Sequence, residues 1–216
     1  MPSKPKSKSK STKAVKPASF KDTYHVVNAQ CMNDKFDLGL VTIAKNSYGG
    51  LFLKHKVNRK ALLFNVVCKV LFDPNESADK WYFTMDVESM SEDLGELLRS
   101  LSANKAMIPF MKDQRAGRGV KPLISGPHSW NNGVTHAISI GVDKSKIPDL
   151  NIGDTLTGHI NITAYVGNGG TKAVSMKLWA PKIINEDGGE GSGDDDESKA
   201  QEEEPKVWQT IPMYDD

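Results

Sequence analysis

Cysteine is scarce in this 216-residue chain: only Cys31 and Cys68 occur. Neither belongs to a CxxC pair or stands at metal-ligand spacing from a histidine, so nothing points to a zinc site or a disulfide framework. Both lie in apolar surroundings and read as buried free thiols, which suits a reducing compartment. Long apolar runs are missing too. No stretch approaches the ~18 residues of a membrane span, and the first residues lack the apolar core of a secretory signal. Catalytic signatures are equally thin. The five histidines (25, 55, 128, 136 and 159) are scattered, there is no GxSxG or P-loop, and no acid pair falls at a spacing that places it on one site. YVGNGGTK (165–172) superficially suggests a phosphate cradle. It joins two strands, however, and opens no helix whose N-terminus could hold an anion. The expectation is a protein without catalysis, cofactor or metal.

What is present is charge, and it is segregated. The chain totals 28 basic and 27 acidic residues, net +1. Residues 1–20 hold six lysines and no acid; residues 186–216 hold twelve acids and two lysines, net −10. Subtraction leaves 20 basic and 15 acidic residues in 21–185, so the middle is net +5. Both arms are too polar to offset chain entropy by burial and are expected to be disordered. The chain thus divides into a basic arm (1–20), a folded body (21–185) and an acidic tail (186–216).

The body reads as mainly β. Segments 36–44, 51–57, 61–72, 80–87, 135–142, 155–166 and 172–184 are rich in β-branched and aromatic residues and are punctuated by Gly, Pro and Asn. One helix is expected over about 91–103, where Leu94, Leu97, Leu98 and Leu101 form one stripe. Ser89 and Glu92 are spaced as its capping box, with Ser91 an alternative cap. The final hairpin is the best specified. Its core faces coincide only if a three-residue loop, Asn168-Gly169-Gly170, pairs Ala164 with Val174, Ile162 with Met176 and Ile160 with Leu178. The opposite face is then expected to carry His159, Asn161, Thr163, Tyr165, Lys172, Lys177 and Trp179. Residues 104–133 read as a long irregular loop, the kind that is usually functional.

Single-strand binders need cations to follow phosphates and aromatic faces on which bases stack, at about 1–3 kcal/mol per base. The candidate cations are Lys54, Lys56, Arg59, Lys60, Lys112, Arg115, Arg118, Lys121, Lys172 and Lys177. The candidate stacking residues are Trp130, Tyr165 and Trp179. Trp81, beside Tyr82 and Phe83, reads as core. Each residue has an ordinary structural explanation, and the weight comes from their combination. The tail adds a second signal. Its carboxylates mimic phosphate and, tethered to a basic groove, would compete for it at high effective concentration. Its tip, Trp208, Ile211, Pro212, Met213, Tyr214, Asp215 and Asp216, offers a partner apolar surface between acids.

Strands, one helix, then further strands ending in GDTLTGHINITAYVGNGGTKAVSMKLWAPKII, with an acidic tail after them, resemble the OB-type single-stranded DNA-binding proteins of phages and large DNA viruses. The KAVSMKLWAPKII strand carries the similarity best, and the resemblance spans roughly 36–184. The tip IPMYDD also resembles the acidic, Ile-Pro-aromatic tip of bacterial single-strand-binding proteins, although here two aspartates follow the aromatic. The resemblance implies an OB-type barrel with extra strands and one helix between its third and fourth barrel strands. It implies a protein that coats and protects single-stranded DNA during replication, recombination or repair. Polymerase or helicase partners would dock on the tail, at replication sites in the host cytoplasm or nucleus. RNA stays open as a ligand, because nothing visibly reads a 2′-hydroxyl; a homodimer stays open too. Two other readings compete: a jelly-roll capsid protein with a basic genome-binding arm, and a nucleoplasmin-like histone chaperone.

Overall fold

The structure, a computed structural model, describes residues 19–30, 33–86, 91–113, 117–130 and 133–184. For 125–130 and 133–136 the description is of the backbone. Residues 1–18 of the basic arm, the acidic tail and Cys31 lie outside the described residues.

A short helix α1 (Phe20–Thr23) leads into β1 (Tyr24–Asn28), followed by β2 (Val41–Lys45), β3 (Leu51–His55), β4 (Ala61–Lys69), β5 (Asn75–Ser77) and β6 (Lys80–Asp86). Two helices, α2 (Glu92–Ala103) and α3 (Ile108–Met111), precede β7 (Ser125–Trp130), β8 (Gly133–Asp143), β9 (Thr155–Val166) and β10 (Lys172–Ile184). Among the described residues the ten strands belong to one mixed sheet whose main path runs β1-β4-β3-β9-β10-β8-β6-β5, with β2 beside β3 and β7 beside β8. The protein is therefore mainly β. The sheet is open and does not close into the expected barrel. Its path starts at β1, parallel to β4, and β10 meets β8 in parallel. Such pairings between strands far apart in sequence leave no local signal.

One face of the sheet packs the core. In β9, Leu156, Ile160, Ile162 and Ala164 point inward, and Phe64, Val66 and Cys68 do so in β4. Leu94, Leu97, Leu98 and Leu101 of α2 are all buried in the same core. The leucine stripe thus does what its spacing requires, at about 1.5–3 kcal/mol per side chain removed from water. The helix N-terminus differs from the expected capping box. Ser89 lies outside the described residues. Ser91 holds the N-cap position, but its hydroxyl donates to the Asp34 carbonyl. Asp93 accepts from the Phe36 N–H at 2.8 Å, so the first turn of α2 clamps the 34–36 segment.

The final hairpin has the expected register: Val174 opposite Ala164, Met176 opposite Ile162, Leu178 opposite Ile160. Gly167 N–H donates to Thr171 O at 2.7 Å and closes a loop around residues 168–170. Gly169 (φ 72°) and Gly170 (φ 77°) take left-handed conformations that a Cβ would strain. The stretch 104–133 is less irregular than expected, since it holds α3 and β7. SGPHSW contains Gly and Pro and no alternation. Its strand conformation comes from pairing with β8, which the sequence cannot advertise.

Candidate nucleic-acid interface

The site is built by parity. Core residues of β9 are even-numbered, so His159, Asn161, Thr163 and Tyr165 face the other way, where β10 supplies Ala173, Ser175, Lys177 and Trp179 opposite them. In β3, Leu51 and Leu53 pack on the core, which turns Phe52 and Lys54 outward; Phe52 pairs with Thr163. In β6, Phe83 and Met85 face the core, which turns Tyr82 outward onto Gly141 of β8. A Cβ on Gly141 would stand 3.3 Å from the Tyr82 ring, so the glycine makes room for the ring to lie on the sheet. Lys177 pairs with Asn161 on one side and Gly141 on the other. The outer face thus presents Phe52, Tyr82, Tyr165, His159 and Trp179 with Lys54 and Lys177 between them. Tyr82 and Tyr165 are exposed, and Trp179 and Phe52 are half-buried. From Tyr165 to His159 the face extends about 20 Å along β9, at ~3.4 Å per residue.

A bulge aims Trp179. Trp179 pairs with His159 and Lys182 with Thr157, so Ala180 and Pro181 together oppose Gly158. Pro181 lacks the N–H for a ladder bond, and Ala180 takes φ 46° to carry the chain past it. The Trp179 carbonyl consequently crowds Gly158, where a Cβ would meet it at 2.8 Å. Trp179 Nε1 and His159 Nδ1 are buried atoms without a hydrogen-bond partner among the described residues. Burial lowers the His159 pKa, so the ring is neutral at pH 7. The Lys177 ammonium lies 5.1 Å from the Trp179 ring centroid. Asp143 sits at the same edge. Hydrogen bonding from Ser145 holds its carboxyl below the usual range, with Lys177 and Lys146 adding to the effect.

The other sequence-predicted residues fall into two outlying groups. Lys56, Arg59 and Lys60 form the turn after β3. Arg59 adopts φ 64° and projects into solvent, while Lys60 donates to the Lys21 carbonyl at 2.7 Å. Lys112, Arg118 and Lys121 are exposed beside α3, where Lys112 bridges to Val120. Lys172 belongs with this second group and not on the outer face. It has the parity of Val174, and its ammonium lies 5.4 Å from the ring centroid of Phe110 in α3. Arg115 lies outside the described residues, as do Trp208, Ile211, Pro212, Met213, Tyr214, Asp215 and Asp216. Trp130 ends β7 opposite Gly133, and only its backbone is described. Trp81 is structural, as its neighbours suggest: its Nε1 donates to Ile147 O at 3.0 Å, and Lys144, ion-paired with Glu76, caps its ring at 4.6 Å.

Sequence reasoning missed Phe52 and Tyr82, although the parity of LFLKHKV and KWYFTMDV contains both. It also missed α1, whose Phe20 ring stands 6.2 Å from the His159 ring. Among the described residues no group of three or more His, Cys, Asp or Glu could hold a metal ion. No known protein family, curated protein or solved structure matches the chain, so the functional reading rests on the geometry and chemistry of this face.

Proposed function

We propose that the outer face of the sheet binds single-stranded nucleic acid. Bases stack on Phe52, Tyr82, Tyr165 and Trp179, while Lys54 and Lys177 meet phosphates. The basic turn at 56–60, after β3, extends the path at one side. The carrying observation is that aromatic rings and lysines alternate on a sheet face that neither α2 nor α3 covers, in a body of net +5. Stacking and phosphate neutralisation together give affinity without base-specific readout, as sequence-independent coating requires. On this reading the protein acts as a single-stranded DNA-binding protein in viral or phage DNA metabolism, built on an open sheet in place of a closed barrel. Its acidic tail competes for the cations, and the Trp208–Asp216 tip docks replication partners such as a polymerase or helicase.

Tryptophan fluorescence tests the stacking. Oligothymidylate should quench the wild-type signal, and Trp179→Phe should remove a clear share of that quenching. Binding with no change in emission from Trp179 would take this residue out of the interface.

A further inference from the structure

Helix α1 is the one described helix that lies on the outer face. None of its residues is buried, and it is a single turn, too short to hold itself together. Asp22 helps to hold the turn, accepting from Ser19 N at 3.2 Å and Ser19 Oγ at 2.7 Å. Phe20 lies between two rings, 5.0 Å from Tyr24 and 6.2 Å from His159, at tilts of 41° and 32°. The ring is nonetheless exposed. The Lys60 ammonium donates to the Lys21 carbonyl at 2.7 Å. The hydrogen bonds from Ser19 hold the Asp22 carboxyl below its usual range, and Lys60 adds a smaller effect in the same direction. Beneath this corner Leu63 is buried, although it stands apart from the main core and shares the outward parity of Asn65. The cross-strand partner of His159 is Trp179, and each of the two carries a buried polar atom without a hydrogen-bond partner among the described residues.

An aromatic ring on a histidine and a carboxylate near a lysine reproduce, in protein groups, the base and phosphate of one nucleotide. We propose that α1 is a displaceable occupant of a nucleotide subsite formed by His159, Tyr24, Trp179 and Lys60, with Phe20 in the place of a base and Asp22 in that of a phosphate. This rests on the single-strand reading of the outer face and adds an internal competitor to it. The ligand is a stacked base with its phosphate. Binding frees α1, exposes His159 to a base and releases Lys60 from the Lys21 carbonyl. Lys60 and Asp22 flank α1 and His159 stands beside the Phe20 ring, whereas His25, opposite core residue Leu62, packs on His55 on the other side of the sheet.

The test uses the full chain and oligothymidylate. Phe20→Ala should bind about two- to tenfold more tightly than wild type, the equivalent of one lost ring contact. Asp22→Asn should bind more tightly at low salt only, and Phe20→Tyr, which keeps the ring, should match wild type. On binding, the amides of Asp22, Thr23 and Tyr24, bonded in the free protein to Ser19 O and Phe20 O, should exchange hydrogen faster. If wild type binds but Phe20→Ala binds equally or more weakly, or if these amides become more protected, α1 is a fixed part of the fold or a direct contact. The proposal then falls while the outer-face reading stands. If wild type does not bind at all, both fall.

Discussion

Gly158 and Trp179 show how one residue position governs the candidate site. The bulge at Ala180–Pro181 brings the Trp179 carbonyl to where a Cβ on residue 158 would sit. Gly158→Ala should therefore destabilise the protein by about 1–3 kcal/mol, an overpacking cost against backbone. Urea denaturation measures that loss, and the Trp179 emission should shift with it. The histidines give a pH dependence with a definite sign. His159 and His25 both have pKa values lowered below 6.5, His159 by burial and His25 by burial with His55 and Lys60 adding to it. The unfolded chain thus binds these protons more readily than the folded one. Their contribution to stability is complete above about 6.5 and declines as pH falls from there towards the native values. The urea midpoint should be lower at pH 5.5 than at pH 7.5, and His159→Asn should reduce the difference. The lowered carboxyls of Asp22 and Asp143 titrate below this window. Burial also pushes the Cys68 thiol up to about 12, so it should stay unmodified by a thiol reagent until the protein unfolds. At this scale Tyr165 and Trp179 were legible from alternation alone. Lys172 was legible too, but its even number places it with Val174, toward Phe110 and away from Lys177.

Among the elements, the β9–β10 hairpin and α2 carry the clearest sequence signals and fold accordingly. The hairpin register follows from two faces that must coincide and a loop of Asn-Gly-Gly that permits left-handed residues. Gly169→Ala meets no neighbour within 4 Å, so its cost should be backbone strain alone, about 1–2 kcal/mol. Leu98→Ala, in a fully packed site, should cost about 2–5 kcal/mol. Chemical denaturation of the two variants distinguishes a surface strain from a core cavity. Strands β1, β5 and β7 were not legible. Asn75–Ser77 is short and polar, Ser125–Trp130 holds Gly and Pro, and Tyr24–Asn28 is extended through its parallel partner β4. In each case a neighbouring strand supplies the conformation, and local propensity does not. The open course of the sheet has the same origin, because the β1–β4 and β10–β8 pairings join segments that are distant in sequence.

For the whole molecule the governing quantity is charge distribution. A net −10 tail is tethered to a net +5 body through GGEGSG (188–193), and the tail and nucleic acid would seek the same cations. Truncation after Ile184 should raise affinity for oligothymidylate at low salt. The gain should shrink as salt is added, because screening weakens tail and phosphate contacts alike. Equal affinity with and without the tail at low salt would remove its role as competitor. The tip is separable: Trp208→Ala with Tyr214→Ala should leave DNA affinity intact while reducing stimulation of a cognate polymerase or helicase.

The most direct measurement is the salt dependence of oligothymidylate binding, by fluorescence anisotropy, for wild type and for Lys54→Ala with Lys177→Ala. Both lysines lie on the outer face, and neither belongs to the core. Wild type should bind with log affinity falling linearly in log salt, at about −0.7 per phosphate contact. The double variant should bind more weakly, with a slope shallower by about 1.4 for its two lost contacts. A wild-type protein that does not bind, or a double variant with the same affinity and the same slope, would contradict the assignment of this face to single-stranded nucleic acid.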